Sequence, residues 1–220
     1  MKKIINSILV MAFFISVTAS AQENRKNAQG QREGKWTGYY EGTNNLKYEG
    51  TFSNGVEQGE FIFYADEPGK VIIATRNFSQ GNGNAYTVFY DGKGKKMTEG
   101  NFLNKKKEGK WITYHQGGKN IMSEEYYVNG ELHGLKKVFY PDGKMSEEIN
   151  YQNGIQNGYS YQYAENGVKL REEFYVNGAQ HGKAIYRDGS GKVVSEGEYD
   201  NGKKIGPWAK KQAVKASVKK

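Results

Sequence analysis

The chain repeats one short frame along most of its length, and this repetition constrains the fold more than any other feature. The frame is aromatic-x-Asn-Gly-x-x-x-Gly, and successive copies lie 24 to 26 residues apart. The aromatic residues that begin each copy are Phe52, Phe78, Phe102, Tyr127, Tyr151, Tyr175 and Tyr199. Self-similarity at a nearly fixed period is typical of a repeat architecture, in which each unit packs mainly against its neighbours.

Each unit contains two strand-like runs separated by turn residues. The glycines that open the units are Gly34, Gly59, Gly109, Gly134, Gly158, Gly182 and Gly206, and Ala85 takes this position once. A run such as "KWITY", Lys110 to Tyr114, follows the glycine, and its aromatic and β-branched residues favour a pleated strand. The dipeptides that then supply positive φ for a reversal are Asp91-Gly92, Gly117-Gly118, Asp142-Gly143 and Asn166-Gly167. Each unit is therefore predicted to be one β-hairpin.

These hairpins predict an all-β protein: an elongated, solenoid-like single sheet of about seven tandem β-hairpin repeats over residues 34–208, with a period of 24 to 25 residues. A lone hairpin is only marginally stable in water, so each unit needs its neighbours to bury its rings. Aromatic residues make up 14% of the chain and supply that buried area, while the absence of cysteine leaves no disulfide to stabilise the fold.

The segments outside the repeats predict export. Residues 1–21, "MKKIINSILVMAFFISVTASA", combine two lysines, an apolar run and a small-residue cleavage site, which is the pattern of a signal peptide. Residues 22–33 are polar and without period, which predicts a flexible linker. Residues 209–220 are predicted to be a basic disordered tail. We expect the mature protein in the periplasm, on the outer surface or secreted.

The distribution of charge argues against nucleic acid as a partner. The formal net charge is +8, but seven of the 32 basic residues lie within residues 1–21 and 210–220, and the remaining 25 nearly balance the 24 acidic ones. A nucleic-acid binder would instead spread basic residues along one face. The lysine-rich tail is compatible with contact to an anionic membrane surface, or with no role beyond keeping the chain soluble.

A row of acidic residues recurs three positions before each frame aromatic, and we call it the glutamate ladder. Its members are Glu49, Glu99, Glu124, Glu148, Glu172 and Glu196, and Thr75 takes the place once. Residues in register on alternate strands lie about 9.6 Å apart. Three interpretations remain open: a solvent-side structural ladder paired with lysines, a site for an ion or ligand, and an acid and base pair for glycoside cleavage.

The sequence otherwise offers no catalytic, metal or cofactor site. His133 and His181 share a position that other units fill with unrelated residues, and His115 has no nearby metal-ligand partner. The stretch "GNGNA", Gly81 to Ala85, lacks the lysine and helix of a phosphate-binding loop. We therefore expect a protein that is not an enzyme and needs no cofactor.

Three tryptophans, Trp36, Trp111 and Trp208, share one position two residues after an opening glycine. Exposed tryptophan and tyrosine are common anchors of interfaces. One hypothesis places these three residues and Tyr114, a strand neighbour of Trp111, in a strip that binds a partner. The other interpretation makes the tryptophans repeat-core residues that pack on the neighbouring hairpin.

The units resemble a known family. "EGEYDNGKKIGPW", "EGNFLNKKKEGKW" and "YEGTFSNG" are similar to the signature of MORN repeats, and the middle units resemble the variant MORN repeats of bacterial proteins, including the YwqK-family antitoxins. This resemblance implies twisted hairpin sheets that act in binding or scaffolding. We expect a protein-binding or scaffolding module of the cell envelope with an unknown protein partner. The alternatives are an antitoxin or immunity protein that neutralises a toxin, and a cell-wall polysaccharide binder or carbohydrate-active enzyme.

Overall fold

The computed structural model describes residues 23–78 and 83–210, and these residues form one open antiparallel sheet without a helix. Strands pair in the order of the chain, so the sheet is built from hairpins, and in two units the opening strand is divided into two short pieces that both pair with the strand before them. The predicted all-β repeat architecture is confirmed. The predicted signal peptide, residues 1–21, lies outside the described residues, as do residues 211–220 of the predicted tail, whereas the first two residues of that tail, Ala209 and Lys210, belong to the last strand.

The sheet has 17 strands, numbered here in chain order. They are β1 (Gly34–Tyr39), β2 (Leu46–Ser53), β3 (Val56–Tyr64), β4 (Ile72–Phe78), β5 (Asn84–Tyr90), β6 (Lys96–Leu103), β7 (Lys106–Tyr114), β8 (Ile121–Val128), β9 (Glu131–Leu132), β10 (Gly134–Phe139), β11 (Met145–Gln152), β12 (Ile155–Tyr163), β13 (Lys169–Val176), β14 (Ala179–Gln180), β15 (Gly182–Arg187), β16 (Val193–Asp200) and β17 (Lys203–Lys210).

One edge of the sheet consists of tight turns made by the Asn-Gly dipeptides of the frame, and we call it the turn edge. In the turn between β11 and β12, Asn153 has φ 50° and Gly154 has φ 78°. Two successive positive φ values define the turn type whose twist matches that of the flanking strands. The Gly154 amide also donates to the Leu132 carbonyl of the preceding unit at 2.8 Å, so neighbouring turns are hydrogen-bonded together.

The opposite edge, the loop edge, carries the longer reversals. In the loop after β5, the Asp91 carboxylate accepts the amides of Lys93 and Lys95 at 2.9 and 2.8 Å. The positive φ in this loop belongs to Gly94, at 73°, and not to Gly92 as the dipeptide predicted. A glycine at the last loop position lets the chain rejoin the sheet with a bulge.

Residues 24–33 differ from the predicted flexible linker, because they are hydrogen-bonded to the first strand. The Asn24 amide donates to the Lys35 carbonyl at 2.9 Å, and the Thr37 amide donates to the Asn24 side chain at 2.8 Å. The Asn27 side chain closes a turn by accepting the Gln31 amide at 2.9 Å. This segment stands beside β1 where a preceding unit would supply a strand.

Candidate binding faces

The register of the strands places the glutamate ladder in one row across the sheet. Residues directly opposite in neighbouring strands point to the same face. Following these pairs from β1 to β17 gives Thr37, Glu49, Ile62, Thr75, Val88, Glu99, Ile112, Glu124, Lys137, Glu148, Tyr161, Glu172, Ile185, Glu196 and Ala209. The face that contains this row is called the ladder face, and the opposite face, which contains Trp36, Trp111 and Trp208, is called the tryptophan face.

Glu99 shows how a ladder carboxylate is held. Its side chain is almost buried, with 6% of the residue exposed, and it accepts hydrogen bonds from the Tyr114 hydroxyl and from Lys96 Nζ, the latter at 2.8 Å. Tyr114 lies fifteen residues further along the chain, on the neighbouring strand β7 and diagonally opposite Glu99. Glu99 is therefore nearly buried, which differs from the solvent-side position that one of the three interpretations gives the ladder.

The same diagonal contact recurs along the ladder. Glu49 accepts a hydrogen bond from the Tyr64 hydroxyl, and Glu148 accepts one from the Tyr163 hydroxyl at 2.7 Å. In the last of these pairs Arg187 takes the place of tyrosine and contacts Glu172 at 2.5 Å. The strand-end residue of one unit thus neutralises or hydrogen-bonds the ladder residue of the unit before.

These contacts change the proton affinity of the tyrosines. Burial, then the hydrogen bond that the Tyr114 hydroxyl donates to Glu99, and then the negative charge of Glu99 raise the pKa of Tyr114 from its ordinary value of 10.0 to about 12. The same causes, with Glu49 as the partner, raise the pKa of Tyr64 to about 12. Burial alone would raise the pKa of Glu99, but hydrogen bonds from Lys96 and Tyr114 outweigh it and hold that pKa below its ordinary value. Glu99 is therefore an ionised carboxylate beside a protonated phenol at neutral pH.

The remaining ladder glutamates form ion pairs. Glu124 contacts Lys110 at 2.7 Å, and Glu196 contacts Lys183 at 3.3 Å. Every ladder carboxylate thus has a partner inside the chain, which supports the structural interpretation of the ladder. Because the carboxylates repeat on alternate strands, about 9.6 Å apart, no single pair is singled out for acid and base chemistry.

Trp111 is a core residue of the tryptophan face. It is 1% exposed, its ring meets that of Phe102 edge to face at 4.9 Å, and its Nε1 donates to the Asn101 carbonyl at 3.0 Å. Trp36 and Trp208 are partly exposed and make the same edge-to-face contact, with Phe52 at 6.0 Å and with Tyr199 at 5.1 Å. The structure supports the core interpretation for Trp111.

The structure does not bring Trp111 and Tyr114 together. Side chains alternate between faces along a strand, and an odd separation of three residues places the two on opposite sides of β7. Trp111 lies opposite Gly100 on the tryptophan face, while Tyr114 reaches Glu99 on the ladder face. The four candidate residues therefore do not form one strip.

Trp111 fits because the residue opposite it has no side chain. A Cβ added to Gly100 would stand 2.5 Å from the Trp111 ring, and a Cβ added to Gly197 would stand 2.6 Å from the ring of Trp208. Where the glycine is replaced by a larger residue, the facing residue is small in most units: Arg76 faces Thr87, and Ile149 faces Ser160. The exception is Glu125, which faces Lys136 and forms an ion pair with it at 2.9 Å. The position of Gly100 and the position of Trp111 therefore fill a common space at each border between units, so a large side chain at one leaves little room at the other.

The two faces differ in how their apolar side chains are exposed. Most of those on the tryptophan face are buried or half-buried, whereas many of those on the ladder face lie in solvent. By register and strand alternation, all but one of the exposed large apolar residues lie on the ladder face, and the exception, Ile72, lies at a bulge. Those between the ladder row and the turn edge are Val56, Tyr86, Leu103, Tyr126, Val128, Leu135, Ile155, Tyr159, Val176 and Ile205; those between it and the loop edge are Tyr39, Ile73, Met97, Met122 and Val194. Two apolar bands therefore flank a row rich in carboxylates.

Our sequence interpretation missed a group of stacked tyrosines on this face. Tyr159 and Tyr161 stack at 5.8 Å with parallel rings, Tyr161 meets Tyr163 at 6.5 Å, and Lys169 Nζ lies 4.0 Å from the centre of the Tyr161 ring. Tyr159 is 56% exposed. The run "YSYQY", in which tyrosine occupies alternate positions of one strand, is the signal that predicts such a stack.

The three histidines lie at a hydrogen bond between units or at interruptions of strands. His115 Nε2 bonds to the Phe139 carbonyl at 2.9 Å, across to the next unit. His133 and His181 lie between β9 and β10 and between β14 and β15, where the opening strand is interrupted. Over residues 23–78 and 83–210, no group of three or more His, Cys, Asp or Glu side chains is arranged to hold a metal ion. The same residues contain no helix of the length and apolar character needed to cross a membrane.

Comparison with known families finds MORN-type repeats in the second half of the chain. The model of the MORN repeat variant matches residues 132–153 and residues 180–201, which are equivalent stretches two units apart. Each match runs from the end of one Asn-Gly turn to the asparagine of the next. A search of the curated proteins finds no match. MORN repeats are generally non-catalytic modules that bind proteins or membranes, and the two matched stretches are similar to repeats of that type.

Proposed function

We propose that this protein is an exported, non-enzymatic binding module of the cell envelope, and that its ladder face captures a protein partner along several units. The observation that carries the proposal is the unequal treatment of the two faces. One face packs its aromatic residues against each other, while the other leaves tyrosine, leucine, isoleucine and methionine side chains in solvent. Extended apolar patches on a soluble protein mark interaction sites.

The chemistry of the ladder face defines the partner. Two apolar bands lie on either side of a row in which carboxylates recur on alternate strands. A matching protein surface presents two apolar bands separated by a polar row, because apolar burial supplies the affinity of an interface, while the ladder carboxylates already have partners within the chain. An antitoxin-type role is one form of this proposal, in which the partner is a toxin met in the envelope or outside the cell.

The test compares two variants that change opposite faces. The ladder-face variant carries Tyr126→Ser, Leu135→Ser and Tyr159→Ser, three exposed positions, and the control variant carries Arg171→Ala, an exposed position on the tryptophan face. Both are purified from the envelope fraction after crosslinking, and captured proteins are quantified by mass spectrometry. A captured protein is then purified, and its affinity for each variant is measured.

We expect a purified partner to bind the wild-type chain and the control equally and the ladder-face variant at least about tenfold more weakly. The intact mass of the envelope form should correspond to a chain that begins at Gln22. Equal binding by both variants would overturn the ladder face as the interaction surface, and a main cellular pool that retains Met1 would overturn export. Depletion of the chain by insoluble cell-wall polysaccharide, without any protein partner, would favour the glycan alternative, for which the stacked tyrosines Tyr159, Tyr161 and Tyr163 are the candidate surface.

A further inference from the structure

The second and third units depart from the repeat frame at several positions. Thr75 stands where other units have a ladder glutamate, Ala85 replaces an opening glycine, and Lys105 replaces the glycine of an Asn-Gly turn. Ala85 lies opposite both Phe78 and Phe102 on the tryptophan face, and Lys105 follows Phe102 in the turn after β6. In repeat proteins, positions that break the local rule are expected where function outweighs regularity.

Arg76 lies at the centre of these departures. It occupies the tryptophan-face position that Gly50, Gly100 and Gly197 hold elsewhere, and its guanidinium lies 5.3 Å from the Phe63 ring centre and 5.4 Å from that of Phe102. Its Nε is buried and has no hydrogen-bond partner, and it forms no ion pair with any residue that the structure describes. An arginine between two rings keeps its planar edge available for a planar anion.

The charge of Arg76 is not neutralised by contact. Burial lowers the pKa of the guanidinium, and the charge of Glu57, which acts through space, opposes that effect without forming an ion pair. Arginine remains protonated at any physiological pH even when half-buried. A desolvated cation with one distant counter-charge favours an anion that completes its hydrogen bonds.

A cavity of about 260 Å³ opens beside this cation. It is lined by Arg76, Phe78, Gly83, Ala85, Phe102 and Lys105. Its volume is below the range of about 300 to 1,000 Å³ of sites for drug-sized molecules, so it suits one small group and not a large ligand. Aromatic and small apolar residues form its walls, and among the lining residues that the structure describes Arg76 and Lys105 are the charged ones.

Lys105 adopts a backbone conformation that glycine would adopt with less strain. Its φ is 66°, whereas the corresponding turns between β11 and β12 and between β13 and β14 use Gly154 and Gly178. A lysine in the left-handed region costs conformational energy. Lys105 nevertheless stands at this position, and it is one of the residues that line the cavity.

We propose that this space, the Arg76 cavity, binds a carboxylate carried by an apolar or aromatic group, such as the C-terminal residue of a peptide. The Arg76 guanidinium pairs with the planar carboxylate, Lys105 adds the second positive charge, and Phe78 and Phe102 contact the apolar group. The site lies on the face opposite the one assigned to the protein partner, and so it is independent of the function proposed above.

The experiment uses nuclear magnetic resonance on the ¹⁵N-labelled chain, beginning at Gln22. The probes are N-acetylphenylalanine, which has a free carboxylate, N-acetylphenylalanine amide, which is neutral and otherwise matched, and inorganic phosphate. The signals followed are the Arg76 Nε–H and the backbone amides of Gly83 and Ala85. The variants are Arg76→Gln and Lys105→Gly, and the control is Arg171→Gln, which changes an exposed arginine 6.0 Å from the Tyr186 ring on the same face.

We expect N-acetylphenylalanine to shift these signals saturably and the amide to leave them unchanged. Arg76→Gln should weaken binding at least about tenfold, as expected for loss of a charge-assisted pair, and Arg171→Gln should have no effect. Lys105→Gly should weaken binding while preserving or raising the melting temperature, because it restores the favoured turn residue. This variant keeps the test decisive if Arg76→Gln does not fold.

Equal binding of the amide and the acid would overturn the proposal, as would an unchanged affinity of the folded Arg76 variant or of Lys105→Gly. Binding of inorganic phosphate as tight as that of N-acetylphenylalanine would replace the carboxylate with a general anion and overturn the role of the aromatic walls. The ladder-face variant with Tyr126→Ser, Leu135→Ser and Tyr159→Ser should bind N-acetylphenylalanine normally, so failure of either proposal is visible without the other.

Discussion

Two facing side chains at each unit border share a fixed volume on the tryptophan face. Gly100 faces Trp111, Ile149 faces Ser160, and Glu173 faces Ala184. Each of these pairs combines one large and one small residue, whereas Glu125 and Lys136 fill the same space as an ion pair of two long side chains. Since interiors are packed as densely as crystals, the identity of one member determines what the other can be.

Gly100→Ala tests this complementarity. The added Cβ would stand 2.5 Å from the Trp111 ring, and the ring is buried, so it has little room to move. We expect a loss of about 1 to 3 kcal/mol in the free energy of unfolding, measured by urea denaturation. Gly92→Ala is the control, because a Cβ there meets nothing within 4 Å; equal losses for both variants would contradict the role of the facing pair.

At the scale of residues, the sequence predicts where a side chain lies in the sheet better than it predicts which partners that side chain contacts. The glutamate positions are visible as a periodic pattern, and the structure places them in one row. The diagonal hydrogen bond from Tyr114 to Glu99 was not predicted, because it depends on the bulge that sets the register after Gly109. The placement of Trp111 and Tyr114 on opposite faces was predictable from their odd separation within one strand.

The segment before β1 behaves as an element in its own right. It supplies the Arg25 carbonyl that accepts the Trp36 Nε1 hydrogen at 3.0 Å, a bond that Trp111 makes within the repeat to Asn101. It also satisfies an amide of β1 that would otherwise lie on an open sheet edge. The turn of this segment, from Asn27 to Gln31, is longer than the Asn-Gly turns of the repeats, so the segment does not match the repeat frame. Its composition alone therefore indicated a linker.

Removal of residues 22–32 should therefore loosen the first units. We expect faster amide hydrogen exchange in β1 and β2 and little change in β13 to β17, because each unit contacts only its neighbours. Hydrogen exchange followed by mass spectrometry measures this difference along the chain. Gln29→Ala is the control, since its side chain makes no hydrogen bond within the described residues; unchanged exchange in β1 after the truncation would restore the linker interpretation.

At the scale of the whole molecule, the sequence predicted the architecture because every unit repeats the same local preferences. Asn-Gly turns, alternating aromatic residues and opening glycines all favour hairpins, and this agreement across levels specifies a fold. The asymmetry between the two faces was not predicted, since which aromatic residues become buried depends on neighbouring units that lie 24 residues away.

Deletion of one period should shorten the sheet without unfolding it, and the point of excision should matter. Removing residues 142–165, from loop to loop, joins Pro141 to Asn166 and keeps Glu125 opposite Lys136, with which it forms an ion pair at 2.9 Å. Removing residues 134–157 takes out the same number of residues but deletes Lys136, so Glu125 loses its partner. We expect the second deletion to be less stable by about 1 to 3 kcal/mol, measured by thermal and urea denaturation of both chains.

A third deletion of about half a period should abolish cooperative unfolding, because it shifts the strand register and reverses the faces. If this chain melts like the other two, the repeat interpretation of stability is contradicted. If the two full-period deletions are equally stable, the facing pairs at unit borders contribute less than the structure indicates.

The facing pairs also constrain how a gene for such a chain can lengthen or shorten. A DNA duplication whose ends fall in the codons of the loop edge copies both members of a pair together, and the new unit arrives already matched to its neighbours. A duplication whose ends fall at the codons of the opening glycines separates the two members of a pair. In the resulting protein, a tryptophan can then face a glutamate or an isoleucine across the sheet. Recombination within the loop codons therefore leaves a folded protein more often, and inheritance favours that boundary.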